Sequence, residues 1–226
     1  MKRRFKAHKE QCDRIRAKLK NLRAIDVALK IFGAEAHQYK IGGVVPYRKI
    51  EEFERRYAVA LPDSFAAFLC LVGNGRRFGL GMAAGPGYGI LPLGKCPGEF
   101  PPFEQGWLAG EPMIQPGILQ ETWEAHYDEL FAAGPDASRE DWKELDARLF
   151  AGVLPVCYQG CSNFVGLMLS GPQKGSVVDF TTEPCAPIFL PFDSFLDWYE
   201  SWLDRSISEM AGRTECSGGR DEAGRH

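Results

Sequence analysis

No apolar run in the 226 residues approaches the roughly 20 that a helix needs to cross a bilayer. The first residues, MKRRFKAHKEQCDRIRAKLK, begin like a signal peptide, but no apolar stretch follows the basic ones. A cytoplasmic protein with no membrane partner is the expectation. Histidine is scarce: His8, His37, His126 and His226 are the whole set. There is no HExxH, no GxSxG and no cluster of histidines with carboxylates. The seven cysteines (Cys12, Cys70, Cys96, Cys157, Cys161, Cys185, Cys216) are odd in number and irregular in spacing, which argues against a disulfide framework. Cys157 and Cys161 bracket three residues, but a tetrahedral metal site needs about four ligands and no second Cys or His pair exists. Gly79-x-Gly81 with Gly85 and Gly87 has neither the dinucleotide spacing nor a following GK[ST], and a strand pattern comes next. These gaps predict no catalytic residues, no metal, no cofactor and no enzyme activity.

Charge is abundant and unevenly placed. Residues 1–32 hold eleven Lys/Arg against three Asp/Glu, whereas 97–149 hold twelve acids against three bases (Arg139, Lys143, Arg148). A basic arm on an acidic body is not the pattern of a nucleic-acid binder, so no direct nucleic-acid contact is expected. An acidic body suits a basic protein partner, because complementary charge speeds encounter and selects the partner. Acids also simply keep a protein in solution.

Ile15, Leu19, Leu22, Ile25, Leu29 and Phe32 recur at three- and four-residue steps and predict one helix over 10–32, stopped by Gly33. Its other face carries Arg14, Lys18 and Lys20 and reads as a solvated surface. A second helix is expected over 47–57, with Ile50, Phe53 and Tyr57 as its apolar stripe. In LPDSFAAFLCLVGNG, Pro62 opens a third helix, where its missing N–H is harmless, and Phe65, Phe68, Leu69 and Val72 form one face. YGILPL (88–93) reads as a strand and 96–116 as an extended Pro/Gly-rich surface loop. Helices are expected near 119–133, with Trp123, Tyr127, Leu130 and Phe131 inward, and 139–149, which starts on the capping-box spacing Ser138 to Asp141. Strands follow at 152–158, 163–169, 176–180 and 185–190, the middle two joined by a turn over 171–175, and a helix closes the fold at 192–205. The order predicts an α+β protein with a twisted, mainly antiparallel sheet and helices packed against it. Residues 1–33 form a basic N-terminal helix, 34–205 the main domain with an acidic helical insertion at 96–149, and 206–226 a flexible tail.

Read in order, these segments resemble one family. IEEFERRYAVALPDSFAAFLCLVGNG is similar to the opening signature of the SUKH superfamily (Smi/Knr-type domains), here carried by Glu52, Leu61, Pro62, Phe65, Phe68, Leu69, Asn74 and Gly75. YGILPLG, the strand pair LPVCYQGCSNFVGLMLSGPQKGSVVDF and the closing DSFLDWYESWLD resemble its later segments. The resemblance implies a SUKH fold in which the Leu-Pro helix and its Asn-Gly exit define structure. It also implies function by protein binding: many bacterial members neutralise a toxin made by the same cell and its kin, often a nuclease, and eukaryotic members act as regulatory adaptors. An immunity protein that binds one basic cognate toxin as a monomer is the expected function, with an adaptor for a housekeeping partner as the alternative. Nuclease toxins need basic surfaces to hold phosphates, and an acidic inhibitor with aromatic anchors fits such a surface. The partner-binding candidates are Glu99, Glu104, Trp107, Glu111, Glu121, Glu124, Asp128 and Glu129, with Tyr88 and Phe78 beside the glycine-rich loop.

Overall fold

In the computed structural model, residues 4–75, 82–95 and 106–218 are described, with side chains up to 213. The first helix, α1 (Lys9–Ile25), buries Cys12, Ile15, Leu19 and Leu22 along one stripe. It ends seven residues short of the expected stop. Asp26 takes a non-helical conformation, and its fully buried carboxylate accepts the N–H groups of Lys30 (2.7 Å) and Ile31 (3.1 Å) and the Tyr39 hydroxyl (2.5 Å). That carboxylate folds the chain back, so the apolar spacing beyond residue 25 no longer lies on a helix and Phe32 stands in solvent. The basic face of α1 is not simply solvated either. Arg14 and Lys18 pair with Glu200 at 3.1 and 2.9 Å, Lys18 also reaches Asp204 at 2.6 Å, and Gln11 donates to Asp197 and Glu200. All three acids lie on the closing helix.

A short turn of helix, α2 (Ala34–His37), leads to α3 (Tyr47–Tyr57), which buries Ile50, Phe53 and Tyr57 as expected. Next, α4 (Asp63–Ala67) widens over Phe68–Val72 into a π turn, closed by the Gly73 N–H on the Phe68 carbonyl. Glu54 ties α3 to the Leu-Pro step: its Oε1 accepts from the Leu61 N–H at 2.9 Å and from Arg4 at 3.0 Å. Glu52 stays on the surface, paired with Lys49. The Asn-Gly exit stitches three segments together. Asn74 accepts the Gly42 N–H on its carbonyl and the Leu93 N–H on Oδ1, both at 2.9 Å. A Cβ on Gly75 would fall 2.2 Å from the Pro92 nitrogen, so this close backbone crossing admits only glycine.

The sheet is an antiparallel meander, β1 (Gly89–Ile90), β2 (Val153–Gly160), β3 (Asn163–Met168), β4 (Val177–Thr181) and β5 (Ile188–Phe189), in that spatial order. The 88–93 strand is shorter than expected. After Ile90 only Leu91 still bonds β2, Pro92 has no N–H to give, and Leu93 turns to Asn74. A bulge between Pro155 and Cys157 puts Val156 and Cys157 together on one face. That face, with Leu154, Val165, Leu167 and Val177, packs on α1, α4 and the closing helix α8 (Phe195–Gly218). Ser194 caps α8 by accepting the Asp197 N–H. The helix runs beyond residue 205: Ser206 is buried, and Ile207 and Met210 pack on the core.

The opposite face of the sheet, built from Val153, Phe164, Met168, Val178 and Phe180, is covered by the insertion through α5 (Gln120–Glu124), α6 (Asp128–Ala133) and α7 (Arg139–Leu149). Trp123, Tyr127, Leu145, Leu149 and Phe150 supply the contact. One sheet with an apolar layer on each side is the α+β architecture expected from the order of elements.

Candidate partner-binding surface

Three sets of hydrogen bonds order the insertion, and one of them ties it to the chain beyond. Ser138 and Asp141 form the reciprocal capping box at the start of α7, with the Asp141 N–H on Ser138 Oγ and the Ser138 N–H on Asp141 Oδ2. Gln120 clamps α5 to the chain before β5: its Nε2 donates to the Pro184 carbonyl (2.7 Å) and its Oε1 accepts the Ala186 N–H (2.8 Å). Trp107, in a turn of 3-10 helix over Trp107–Ala109, donates its indole N–H to the Ala147 carbonyl and packs between both cores.

With its apolar side spent on the sheet, the insertion turns its acids outward. Among the described residues of 106–149, Glu111, Glu121, Glu124, Asp128, Glu129, Asp136, Glu140, Asp141 and Glu144 are all exposed. Glu129, Asp141 and Glu144 meet at a cleft of about 240 Å³ between α6 and α7, which His126, Leu130, Leu145 and Arg148 complete. Glu111 lies apart, on a second depression of about 470 Å³ beside the 170–173 turn. The tenth acid, Asp146, points inward. Burial pushes its carboxyl up to about 7, and the neighbouring Glu183 adds to the rise. Beside it, burial and the Asp146 charge push the Tyr127 hydroxyl up. Tyr127 Oη and Trp123 Nε1 are buried and close enough to sense each other, yet neither makes a geometrically sound hydrogen bond among the described residues.

The sequence-derived candidates separate on this geometry. Glu121, Glu124, Asp128 and Glu129 share the exposed side of α5 and α6, and Glu124 accepts a hydrogen bond from Gln120 at 2.9 Å. Trp107 is half-buried and its N–H is used internally, so the exposed ring of this segment is Phe131, at 54% exposure. Phe131 was expected inward. The helix predicted over 119–133 breaks at 125–127, which rotates Phe131 out while it still stacks on Tyr127 (6.1 Å) and meets Trp142 edge-on (5.7 Å). Leu119, which periodicity did not single out, is also exposed, at 66%. Tyr88 is half-buried between Phe32 (5.8 Å) and Tyr158 (5.7 Å). Glu99, Glu104 and Phe78 lie outside the described residues.

Two groups with nucleophile or base chemistry, Cys157 and His37, are engaged elsewhere. Cys157 and His37 both bond the 85–86 turn, through Cys157 Sγ to the Pro86 carbonyl (3.1 Å) and His37 Nε2 to the Gly85 carbonyl (3.1 Å). His37 Nδ1 accepts the Tyr39 N–H, which leaves Nε2 as the donor and the ring neutral. Burial pulls His37 down to about 4 and pushes the Cys157 thiol up, the opposite of what a thiolate–imidazolium pair requires. Both side chains are fully buried. No group of three or more His, Cys, Asp or Glu side chains able to hold a metal occurs among the described residues. No helix there is long and apolar enough to cross a membrane.

No curated protein matches this chain. A family model does, over residues 47–201, from the start of α3 to within α8. The matched span takes in the Leu-Pro helix, the Asn-Gly stitch, the whole meander and the insertion, and leaves out α1. The chain belongs to the SMI1/KNR4 family (SUKH-1).

Proposed function

We propose that this chain is an immunity protein that neutralises one cognate bacterial toxin by covering a basic surface of it, and that it has no catalytic activity of its own. SUKH domains are of the toxin-immunity, Smi1/Knr4 type, and protein binding is their general mode. One observation carries the more specific reading. The insertion buries its aromatic side against the sheet and, among its described residues, leaves nine acids against three exposed bases on the outside. A surface of that sign attracts a cationic partner at long range, and the exposed Phe131 offers an apolar centre among the charges. A nuclease toxin, which must hold phosphates, carries the matching charge. Glu121, Glu124, Asp128 and Glu129 are the contact residues of this reading, with Glu144 and Asp141 at the adjoining cleft.

The test is rescue. A toxin gene found beside this one is to be expressed alone and then with this chain; growth should stop in the first case and resume in the second. Reversal of Glu124, Asp128 and Glu129 to lysine should abolish rescue; because Asp128 and Glu129 open α6 and Glu124 bonds Gln120, a melting curve of the variant must show that it is still folded. Association of the purified pair should slow as salt rises. Rescue that survives the triple reversal removes the acidic face from the mechanism. A pull-down that recovers housekeeping machinery, with no toxin gene nearby, would favour the adaptor role instead.

A further inference from the structure

The exposed apolar side chains at the end of α1 stand on a loop built to hold still. Val27 is 82% exposed and Phe32 69%. Single exposed apolar residues are ordinary, but this pair stands on a turn organised around a fully buried carboxylate. Asp26 collects three donors from that turn and its surroundings, the Leu29 N–H returns to the Asp26 carbonyl at 3.2 Å, and Leu29 adopts a left-handed conformation (φ 52°). Phe32 is braced edge-on by Tyr88. A chain that needed only to end α1 could turn without fixing two large apolar side chains in water. A preorganised loop lowers the ordering cost of binding something apolar.

The charge beside the loop identifies the ligand. Arg16, Lys20 and Arg23 follow at four- and three-residue steps and so share one side of α1, and Arg23 lies three residues before the Asp26 turn. All three are exposed, as is Lys30 within the loop. This is not the side that holds Glu200, which is met by Arg14 and Lys18. Asp13 is paired with Lys9, and Glu35, exposed beyond Phe32, is the acid nearest in sequence to the loop on its far side. Aliphatic and aromatic tips flanked by lysine and arginine are what an anionic lipid surface binds: the tips enter the acyl boundary and the cations meet the headgroups. A nucleic acid would use the cations but has no place for an exposed valine.

We infer that the 26–33 loop and the Arg16–Lys20–Arg23 side of α1 form a peripheral docking site for an anionic phospholipid surface. The insertion packs on the opposite face of the sheet from α1, so its acids would stay clear of the lipid surface and open to a protein partner.

Flotation of the full chain with vesicles tests this. The chain should float with vesicles of phosphatidylcholine and phosphatidylserine and stay behind with phosphatidylcholine alone. The Val27→Ser/Phe32→Ser variant should bind about tenfold more weakly, because only the buried tips are lost. Lys20→Ala and Arg23→Ala should each weaken binding about fivefold at low salt. All four positions are exposed, so an unchanged melting temperature certifies the variants. Absence of flotation, equal flotation of the serine double variant, or tighter binding to a duplex oligonucleotide than to the anionic vesicles overturns the site. So does a concentration-dependent dimer abolished by Phe32→Ser, which would assign the patch to a second copy of the chain.

Discussion

Asp146→Asn should make the protein more stable at neutral pH, although it removes a charge from a family member rich in acids. Asp146 lies on α7 within the insertion, beside Tyr127 and Glu183, and its carboxyl rises from 3.8 to about 7. An unfolded aspartate ionises near 3.9, so between there and about 7 the folded chain holds a proton that the unfolded chain has released. Stability contributed by the protonated group is complete below the unfolded value and declines as pH rises through the folded one. A shift of that size sets a ceiling of about 4 kcal/mol, at 1.36 kcal/mol per unit. The side chain is only partly buried, so screening reduces this to roughly 2 kcal/mol. Asparagine keeps the shape and cannot ionise. Urea denaturation of both proteins from about pH 4 to about pH 8 should give a difference curve near zero at the acid end that rises in favour of the variant and levels off above about 7. In melting temperature the gain at the alkaline end would be about 4–8 °C. Using the difference between the two proteins cancels the other carboxylates that titrate in this range, such as Asp179, which burial also raises. Parallel curves, or a variant less stable at pH 8, would show that Asp146 is ionised and usefully bonded in the folded state.

Four further outcomes test the packing. Gly166→Val should destabilise by about 1–3 kcal/mol and loosen the insertion, because even a Cβ there would lie 2.6 Å from Val153 Cγ1 and 2.9 Å from Phe180 Cε1; denaturant melts and amide exchange in α5 report it. Gln120→Ala removes both bonds to the 184–186 chain and should raise amide exchange across α5 and α6, at about 1–2 kcal/mol, with little effect on α1. Glu200→Ala frees Arg14 and Lys18 and should lower stability by about 1–2 kcal/mol at neutral pH, the ion pairs being partly open to water. Glu200 lies at about 2 in the folded protein against a usual 4.5, so its contribution is present above about 4.5 and is lost as pH falls toward 2; the alanine variant should lack that acid limb in a pH–melting profile.

How far the sequence could be read depended on the range of the interaction concerned. Periodicity found α3 and α7, which one neighbouring layer buries, and apolar runs bounded by turn residues or by Pro62 and Gly73 found the three long strands and α4, which are buried on more than one side. It failed where one side chain overruled the spacing. Asp26 bonds residues four and five ahead and folds α1 back, although Leu29 and Phe32 continue the helical repeat. Likewise, the break at 125–127 sends Phe131 outward from a stripe that read as buried. The acids of α5 and α6 could be picked out from composition alone, since nothing in the sequence offered them enough cations. The cleft that joins Glu129 to Asp141 and Glu144 could not, because it exists only where α6 and α7 meet.

By itself, then, the sequence determined the order of elements, the α+β class, the absence of any recognisable catalytic motif and the separation of basic from acidic segments. Those properties follow from local spacing and from which residue types are present. Tertiary structure decided which charges are free. It spent Arg14 and Lys18 on Glu200 and left Arg16, Lys20 and Arg23 outside; it turned Asp146 inward and nine other acids of the insertion outward. The physical reason is that a charge is worth little to a partner once a neighbour has neutralised it or burial has protonated it, and both depend on what folds alongside it.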